Sequence, residues 1–325
     1  MPSRADRELA PPATAGRGGD RPSPLPGWMV PSRWPARHRD FAAAMLFILP
    51  FVALWFVFMI LPIAYGFFIS LHDWNPLMGS KFVGFGNYAK LFGTERFRGD
   101  FVTTIIYSLL VIPMILGFGL LFAVMLHRVR IRGRSLLESV FFLPYLLNVS
   151  IISILWTFLL DPDLGIVNYY LRAIGLDPPT VLNDPFWVLP GIAFVTAWWL
   201  SGYRMVVFSA GLRSIPETLY EAAALDGAGP FQRFRLITLP LLKPSLLFAA
   251  VITLVGGMRT FGQVILMTNG GPGTSSEVLA LYMYRLAFEF IKFGEAAAVG
   301  FILFTVIFVG SLGLFRLLGM GSALR

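Results

Sequence analysis

Long hydrophobic stretches alternate with shorter polar segments along the whole chain. Six of these stretches contain about 20 or more mainly apolar residues, the length that a helix needs to cross the hydrocarbon core of a bilayer. Pro50, Pro113, Pro144 and Pro190 lie inside them, where neighbouring helices can satisfy the carbonyl groups that a proline leaves free. The pattern predicts an all-α polytopic membrane protein with six transmembrane helices and both termini on one side. The predicted spans are residues 41–61, 101–126, 139–160, 188–212, 244–267 and 296–318.

The composition excludes a soluble globule. Residues of the set AVILMFWYC make up 56% of the 325-residue chain, charged residues make up 14%, and the mean hydropathy is +0.72. Soluble proteins carry roughly 25% charged residues, and a soluble domain of this length has no interior large enough for so much apolar surface. The same numbers exclude disordered and collagen-like chains.

Motifs that carry chemistry are scarce. The chain has no cysteine, which excludes disulfides and thiolate zinc sites, and His38, His72 and His127 are too far apart in the sequence to indicate a metal cluster. It contains no nucleotide-binding phosphate loop, no G-x-S-x-G and no H-E-x-x-H motif. We therefore expect no catalytic residue, metal or cofactor in this chain. If the protein uses ATP, another chain binds it together with Mg²⁺.

The basic residues mark one side of the predicted membrane. The segments 1–40, 127–138 and 204–243 and the residues after 315 hold 18 of the 26 Lys and Arg residues, whereas the other three loops hold seven. Because cytoplasmic loops of membrane proteins carry the basic excess, we expect these segments and both termini to be cytoplasmic. This distribution explains the net charge of +8 better than a nucleic-acid partner does.

The first 40 residues differ from the rest of the chain. They contain 8 of the 23 prolines and 7 arginines but no apolar run, so we expect residues 1–40 to form a disordered basic cytoplasmic tail next to the anionic inner leaflet. A cleaved signal peptide does not fit, because the apolar stretch that begins at Phe41 is too long for the hydrophobic region of a signal. Residues 41–325 form the predicted membrane domain.

The most informative polar segment is the loop 214–240 between the fourth and fifth predicted spans. Ser214 and Glu217 have the spacing of a capping box, which predicts the start of a short helix, and Gly227 predicts its end. A second short helix is predicted over 230–240. The pattern alone fits an ordinary connection on the membrane surface as well as a docking element. Three residues at helical spacing would share one face of the first helix: Ile215, Leu219 and Ala222.

This loop also carries a recognisable pair of motifs. Residues 221–228 read Glu-Ala-Ala-Ala-Leu-Asp-Gly-Ala, and residues 237–240 read Ile-Thr-Leu-Pro. The pair resembles the coupling loop of the membrane subunits of ATP-binding-cassette importers. The resemblance implies a type I importer permease fold in which the short helix is a cytoplasmic coupling helix that docks on a separate ATPase subunit, with Glu221 as the ionic contact. The positions that the resemblance assigns to ATPase coupling are Glu221, Ala222, Ala223, Asp226 and Gly227.

Three further motifs narrow the resemblance to carbohydrate importers of the maltose and glycerol-phosphate type. They are Phe-Val-Gly-Phe-Gly-Asn-Tyr at 82–88, Phe-Leu-Pro at 142–144 and Thr-Asn-Gly-Gly-Pro at 268–272, and the resemblance covers residues 41–318. It implies the permease subunit of an ATP-driven, binding-protein-dependent sugar importer in the bacterial cell (inner) membrane, forming half of the translocation pathway. The implied partners are membrane lipid, a small sugar, a second homologous permease in a heterodimer, two ATPase subunits and an extracytoplasmic sugar-binding protein.

Polar side chains inside predicted spans indicate the translocation pathway, because burying them in a bilayer is costly. In the fifth predicted span, Thr253, Gly256, Gly257 and Thr260 would share one helical face, and the glycines would leave room beside it. The corresponding face carries larger polar or aromatic residues in maltose-type subunits. The resemblance therefore does not extend to maltose as the substrate.

The fourth predicted span offers an aromatic face. It consists of Thr196, Trp198, Trp199 and Tyr203. The aromatic rings in this set can stack on sugars, and the hydroxyl groups can form hydrogen bonds with them. Tyr203 matches a tyrosine that contacts sugar in maltose-type relatives. The alternative for Trp and Tyr near the end of a span is an interfacial aromatic belt.

Arg259 is the one charge well inside a predicted span. An arginine at a helix centre costs roughly 2.5–3.5 kcal/mol on insertion scales. We therefore expect Arg259 to face water, a polar partner or an anionic sugar, with Gln263 one turn further on the same face. Snorkelling of its side chain toward the bilayer surface is the alternative. The complete predicted pathway set is Thr196, Trp199, Tyr203, Thr253, Gly257, Arg259 and Thr260.

Two other classes of function are alternatives. An ion-coupled secondary transporter requires carboxylates in the membrane, and no Asp or Glu falls within the six predicted spans, which disfavours this class. The missing nucleophile, metal and cofactor motifs disfavour a membrane enzyme. They disfavour a non-transport membrane scaffold as well, without excluding either.

Overall fold

The computed structural model describes residues 36–76, 79–128, 133–175 and 180–317. Most of the expected basic tail and the C-terminal residues 318–325 lie outside the described residues. Helices dominate the described part of the chain, as the hydrophobic pattern predicts. The α-helices are α1 (Ala36–Trp55), α2 (Leu61–Ser70), α3 (Gly86–Gly93), α4 (Glu95–Arg128), α5 (Arg134–Phe142), α6 (Val149–Leu159), α7 (Ile166–Ala173), α8 (Val188–Arg213), α9 (Glu217–Leu225), α10 (Pro230–Arg233), α11 (Leu239–Leu241), α12 (Lys243–Met258), α13 (Gly262–Met267), α14 (Leu279–Tyr284) and α15 (Phe293–Leu317).

Short irregular helices and one β-ribbon complete the fold. The ribbon departs from the all-α expectation: strands β1 (His72–Asn75) and β2 (Gly79–Phe82) pair antiparallel, with His72 opposite Phe82. Gly79, at φ +92°, allows the backbone to turn at the end of the ribbon. The irregular helical segments are π-helical turns at Phe56–Ile60, Phe234–Thr238 and Arg285–Glu289 and a 3₁₀-helix at Leu143–Leu146.

Four helices in the described part of the chain are long and apolar enough to cross a membrane, and two bent pairs bring the number to as many as six. The chain is therefore a multi-pass membrane protein. The four helices are Ala43–Ser70, Glu95–His127, Val188–Arg213 and Phe293–Leu317. The bent pairs are Arg134–Leu146 with Val149–Leu159, at 97°, and Pro230–Leu241 with Lys243–Met258, at 68°.

The third predicted span is not one continuous helix. α5 ends at Phe142, and Pro144 lies in the 3₁₀ turn that follows. The prediction of an unbroken helix over 139–160 is wrong, because a proline lacks the N–H that continues a helix and its ring clashes with the preceding turn. The Asn148 side chain then accepts a hydrogen bond from the backbone N of Ser150 at 3.0 Å and starts α6 in a new direction.

The fifth predicted span also breaks. α12 ends at Met258, and Phe261, at φ −138° and ψ −52°, departs from helical geometry before α13 begins. The prediction of one helix over 244–267 is wrong. The glycine pair at 256–257 lies directly before the break, and glycine is among the residues that most weaken a helix.

The chain divides into two compact units, Met1–Tyr65 and Gly66–Arg325. In the first unit, the described residues are helical throughout, from α1 to the start of α2. The most hydrophobic 18-residue window of the span Ala43–Ser70 contains no buried residue, and large rings such as those of Phe51 and Phe58 are exposed. In a membrane, these side chains face lipid or another protein chain.

The second unit is built around the packing of α4 against α8. Gly119 of α4 lies so close to Arg204 of α8 that a Cβ added to the glycine would be 2.6 Å from the Cβ of Arg204. Tyr107, Ile115 and Ile192 are buried in the same core. This contact fixes the position of α8, which carries three of the predicted pathway residues.

The motif at 82–88 anchors the segment between α2 and α4. Asn87 is buried, and its Nδ2 donates to the carbonyl oxygens of Ser70 at 2.8 Å and His72 at 2.9 Å. Gly294 of α15 packs directly on the His72 carbonyl oxygen, where a Cβ would collide. The motif thus serves to attach the β-ribbon to the helical bundle.

Candidate functional site

α9 is the short helix that the sequence predicts after α8, and it runs over Glu217–Leu225. It ends in a Schellman motif: the N–H of Gly227 donates to the Ala224 carbonyl at 3.1 Å, and the N–H of Ala228 donates to the Ala223 carbonyl at 2.9 Å. Gly227 has φ +79°. The predicted glycine stop is confirmed, and any other residue at 227 would be strained.

The beginning of α9 differs from the prediction. Its N-cap residue is Pro216, which makes no side-chain capping bond. The Ser214 hydroxyl instead donates to the Gly211 carbonyl at 2.7 Å. The predicted capping box of Ser214 and Glu217 is wrong, because the serine hydroxyl bonds back to a carbonyl in the last turn of α8.

The outward side of α9 carries most of the predicted coupling residues. Glu221, Ala222, Asp226 and Gly227 are exposed, and Ala223 is half-buried. Two carboxylates and a patch of small side chains are therefore accessible to another molecule. Their role in coupling stays a prediction.

The inward side of α9 is not the predicted one. Ile215 is buried, but Leu219 and Ala222 are exposed. The helical spacing fails because Ile215 precedes the first helical residue. Tyr220 is half-buried instead, and its hydroxyl shares a hydrogen bond with Thr238 Oγ1 at 2.9 Å. This bond ties α9 to the helix that leads into α12.

Leu225 is a candidate contact residue that the sequence analysis misses. Its side chain is 90% exposed at the last position of α9. A large apolar side chain held in water beside small and acidic residues indicates a surface that a partner covers. The sequence already indicates this exposure. Leu225 directly precedes the Asp-Gly pair that ends the helix, so no further helical turn follows to cover its side chain.

The second short helix begins at Pro230, as predicted, and α10 continues through the π-turn into α11. Its start is held by two local bonds. The backbone N of Gly229 donates to Gln232 Oε1 at 2.9 Å, and Arg233 Nε donates to the Ala228 carbonyl at 2.7 Å. α9 and α10 are thus joined by a fixed corner.

Three predicted pathway residues lie in the interior of the bundle. The Tyr107 hydroxyl donates to Thr196 Oγ1 at 2.9 Å and is also hydrogen-bonded to Thr260. Arg204 Nε donates to Thr253 Oγ1 at 2.8 Å. All five side chains are buried. These threonines therefore connect α4, α8 and the α12 region within the single chain.

Gly257 is closely packed, and the room predicted beside it is filled. A Cβ at 257 would lie 3.2 Å from Val111 Cγ1 and 3.7 Å from Ile112 Cγ1. Thr260 no longer shares the helical face of these glycines, because α12 ends two residues before it. Gly257 lets α12 approach α4.

Arg259 caps the end of α12, and its side chain is exposed. Gln263 belongs to α13 and is buried, so the expectation that it shares a face with Arg259 is wrong. The arginine lies beside the helix break. A break in a transmembrane helix frees backbone groups next to a cavity, which is typical of transporter binding sites.

Arg204 is a second charge inside a span, so the expectation that Arg259 is the only one is wrong. Arg204 is 6% exposed, and its guanidinium carbon lies 5.0 Å from the centre of the Tyr203 ring. The predicted span 188–212 already contains Arg204, but the count of basic residues places it in the loop 204–243; α8 runs to Arg213. Its partners are the uncharged Thr253 and the Tyr203 ring, so no acidic residue in the sequence marks it as a buried charge.

Acidic side chains also lie inside the membrane helices. Asp100 of α4 and Glu295 of α15 are buried. Glu295 Oε1 lies 2.5 Å from Lys90 Nζ and 3.8 Å from Lys292 Nζ. The six predicted spans contain no Asp or Glu, but α4 and α15 begin before the spans 101–126 and 296–318, so the longer helices include these two residues.

Tyr203 and Trp199 lie next to the break between α5 and α6. The Tyr203 ring stacks on Tyr145, with ring centres 5.1 Å apart and planes at 19°, and Trp199 Nε1 donates to the Leu147 carbonyl at 3.1 Å. Tyr203 and Trp199 are half-buried, and Tyr145 is 36% exposed. Tyr145 is a further candidate that the sequence analysis misses, although it directly follows the Phe-Leu-Pro motif.

The loop that contains the Thr-Asn-Gly-Gly-Pro motif is held by buried ions. Glu277 is fully buried and accepts hydrogen bonds from Arg96 Nε at 3.0 Å, Arg96 Nη2 at 2.8 Å and Arg285 Nη1 at 2.7 Å. Arg285 Nη2 also donates to the Asn269 carbonyl at 2.8 Å. The charged groups of this loop are therefore paired with other residues of the same chain.

Tyr282 covers the ion network. The guanidinium carbon of Arg96 lies 5.6 Å from the centre of its ring. Burial is the main cause that raises the pKa of Tyr282, and the carboxylates of Glu295, Asp100 and Glu277 raise it further while Arg96 opposes them. The phenol therefore stays protonated at physiological pH.

Within residues 36–76, 79–128, 133–175 and 180–317, no group of three or more His, Cys, Asp or Glu side chains is placed to hold a metal ion. The expected absence of metals and cofactors stays a prediction.

Known proteins with similar sequences share one family. Residues 83–319 match the family described as "Binding-protein-dependent transport system inner membrane component". The chain is 34% identical over 269 residues to the lactose transport system permease protein LacF of Rhizobium radiobacter, covering 81% of this chain and 90% of that protein. It is 32% identical over 275 residues to the trehalose/maltose transport system permease protein MalF of Thermococcus litoralis, covering 83% and 92%.

A solved structure has a similar fold. It is the crystal structure of a bacterial alginate ABC transporter in complex with alginate pentasaccharide-bound periplasmic protein. The match has a TM-score of 0.76 and 27% sequence identity, and it covers 86% of this chain and 94% of that chain.

Proposed function

Because the chain belongs to the family of binding-protein-dependent transport system inner membrane components, we propose that it is the transmembrane permease subunit of an ATP-driven, binding-protein-dependent sugar importer. It forms one half of a translocation pathway and performs no bond chemistry. A partner chain binds and hydrolyses the ATP.

The observation that carries this proposal is the exposed surface of α9. The carboxylates of Glu221 and Asp226, the apolar side chain of Leu225 and the small Ala222 are all uncovered in the chain itself. A large apolar side chain left exposed beside small residues and charges is typical of a surface that a partner covers. We assign α9 as the cytoplasmic coupling helix, with Glu221 as the ionic contact to the ATPase and Leu225 as the apolar anchor.

α9 is attached so that a displacement passes into the bundle. It follows α8 after three residues, and Tyr220 bonds Thr238 in the helical segment that leads to α12. When the partner ATPases close on ATP, α9 moves with them and carries the cytoplasmic ends of α8 and α12. These two helices hold most of the predicted pathway residues, so the movement opens and closes the cavity between subunits.

We propose six spans, counting each bent pair as one, with both termini in the cytoplasm. The distribution of Lys and Arg supports this orientation. Because the chain has no cysteine, single cysteines at the exposed positions Leu225 and Leu164 report the two sides. A membrane-impermeant maleimide should label Leu164→Cys in intact spheroplasts and Leu225→Cys only in opened membranes. The reverse pattern would overturn the orientation.

The proposed partners are a second homologous permease, two ATPase subunits and an extracytoplasmic sugar-binding protein. The uncovered apolar surface of the first unit is suited to lipid or a second permease. The solved alginate transporter was crystallised with a periplasmic protein, which supports a binding protein on the outer side.

We propose a carbohydrate substrate, contacted by the stacked pair Tyr203 and Tyr145 and by Trp199. The names of LacF and MalF specify sugars, and the solved structure is of an alginate transporter in complex with a periplasmic protein that carries an alginate pentasaccharide. Arg259, exposed at the helix break, is the residue that we propose selects an anionic sugar. Arg259→Gln should reduce uptake of anionic sugars and spare neutral ones. Unchanged uptake of both would remove this role.

Reconstitution tests the function itself. The purified chain alone in proteoliposomes should accumulate no sugar under a proton or sodium gradient. The complex with its ATPase, second permease and binding protein should accumulate sugar when ATP is supplied. Accumulation by the isolated chain, driven by an ion gradient, would overturn the proposal in favour of a secondary transporter.

A further inference from the structure

A cavity of about 880 Å³ lies between α9 and the ends of α4, α5 and α8. Binding sites for small molecules span roughly 300–1,000 Å³, so the cavity is large enough for a ligand. Its lining includes His127 of α4, Arg134 of α5 and Glu217 of α9. None of the functions proposed above uses this space.

The lining of the cavity is rich in guanidinium groups. Arg134, Arg213 and Arg233 come from three separate elements and all border it. Two carboxylates are nearby: Glu217 borders the cavity, and Glu138 Oε1 lies 2.9 Å from Arg134 Nε and 3.5 Å from Arg213 Nη2. The guanidinium groups outnumber the carboxylates, so an anion is favoured there.

Part of this donor capacity is unused in the described structure. Arg134 Nε donates to Glu138 Oε1. Its Nη2 is buried and has no hydrogen-bond partner among the residues that the structure describes. Arg233 Nε donates to the Ala228 carbonyl oxygen. A buried donor without an acceptor is costly, and phosphate oxygens accept from guanidinium groups in pairs. The spare donor indicates a missing phosphate-like acceptor.

The cavity also has an apolar side that belongs to the membrane. Val124 and Leu212 line it, and both lie in helices long enough to span the bilayer. Basic pockets at the cytoplasmic ends of transmembrane helices suit the headgroups of anionic lipids. The lining thus offers arginines to a phosphate and apolar contact to the start of an acyl chain.

We propose that this cavity binds a phosphate-bearing anion, either the headgroup of an anionic phospholipid or a soluble phosphate ester, through Arg134, Arg213 and Arg233. The inference rests on the proposed function, because the cytoplasmic position of α9 places the cavity at the anionic leaflet. A bound phosphate braces α10, which a fixed corner joins to α9, against α5 and α8, and the stiffness of the coupling helix then depends on occupancy.

Native mass spectrometry of the assembled importer tests the site. The complex is released from nanodiscs of phosphatidylcholine and phosphatidylglycerol, and the retained phosphatidylglycerol is counted. The double variant Arg134→Gln with Arg233→Gln should retain roughly tenfold less phosphatidylglycerol than the wild type, as expected for lost charge-assisted bonds. Arg235→Gln is the matched control, because Arg235 lies in the same loop but is exposed and outside the cavity lining. Equal phosphatidylglycerol retention in the two variants, together with equal responses of the wild type and the double variant to the soluble phosphates titrated below, would overturn the proposal.

A second set of samples identifies the source of the phosphate. In nanodiscs of phosphatidylcholine alone, inorganic phosphate and glycerol phosphate are titrated while thermal unfolding is followed. Stabilisation of the wild type but not of the double variant assigns a soluble ester, and specific retention of phosphatidylglycerol alone assigns the lipid. No response of the wild type to any of the three probes would contradict the site.

Two controls separate misfolding and failure of the proposed function. Arg134→Lys with Arg233→Lys keeps the charges and should retain most of the binding if the complex is folded. The ATPase subunit is detected in the same spectra. In the wild-type complex, retained lipid without the ATPase would contradict the role of α9 and leave the cavity proposal standing. A retained ATPase with neither lipid nor soluble phosphate bound would contradict the cavity alone.

Discussion

The chain carries two motif regions that the structure uses in opposite ways. At the end of α9, Glu221 and Asp226 are exposed and Leu225 is almost fully accessible. In the loop after α13, Glu277 is fully buried between two arginines, one of which also holds Asn269. A motif whose polar groups are satisfied within the chain stabilises the fold, whereas one whose groups face solvent is available to a partner. Sequence likeness alone does not separate the two.

The largest effect should come from the buried ion network. Glu277→Gln leaves two arginines without their shared carboxylate, and breaking a buried pair costs about 3–5 kcal/mol. The folded yield and the midpoint of thermal unfolding in detergent should fall sharply. Glu289→Gln is the control, because that side chain is 52% exposed and lies 3.8 Å from Arg285. Similar losses in both variants would show that the buried network does not stabilise this loop.

The interior threonines should behave like the buried loop. Thr253→Val removes the acceptor of the buried Arg204 and should lower the free energy of unfolding by about 1–3 kcal/mol. The KM for sugar should stay unchanged in the folded fraction. Tyr203→Ala should raise KM instead, with a smaller effect on stability. A large KM change in Thr253→Val without destabilisation would return this threonine to the translocation pathway.

The exposed region should show the opposite pattern. Leu225→Asp should weaken co-purification of the ATPase by about tenfold, or about 1.4 kcal/mol, while the unfolding midpoint of the chain stays unchanged. Leu164→Asp is the matched control, since Leu164 is 84% exposed on the side assigned to the exterior. If the control weakens ATPase binding as much, the contact does not involve α9.

The smallest effect concerns the backbone at the end of α9. Gly227→Ala places a Cβ at φ +79°, which costs about 1 kcal/mol. Gly175→Ala carries the same strain, because Gly175 has the same φ and also has no atom within 4 Å of an added Cβ. Only Gly227→Ala should lower the sugar transported per ATP hydrolysed. Equal transport ratios in the two variants would exclude a lever function of α9.

The hydrophobic pattern predicts much of this architecture. The positions of the long helices follow from apolar length, and α9 with its glycine stop follows from local signals at 217–227. The motif in the same segment is sufficient to identify the family. These features depend on short stretches of sequence, where propensity and solvent preference dominate.

Other features depend on tertiary contacts and could not be predicted. The bend after α5 needs a neighbour that accepts a 97° change of direction, although Pro144 marks its place. Arg96 and Glu277 are 181 residues apart, so nothing local pairs them. Arg204 falls inside the predicted span 188–212, but its bond to Thr253, 49 residues away, is set by the fold. Buried ionic partners are selected by the fold rather than by adjacent residues.

Photochemical cross-linking from Leu225→Cys decides whether α9 docks on the ATPase. The cysteine-free chain allows a single benzophenone maleimide to be placed there and, as the control, at Leu164→Cys. Irradiation of the assembled complex should yield an ATPase adduct from position 225, with an extent that changes when ATP is added, and none from 164. An absence of ATPase adducts at 225, or equal adducts at both positions, would contradict the assignment of α9 as the coupling helix.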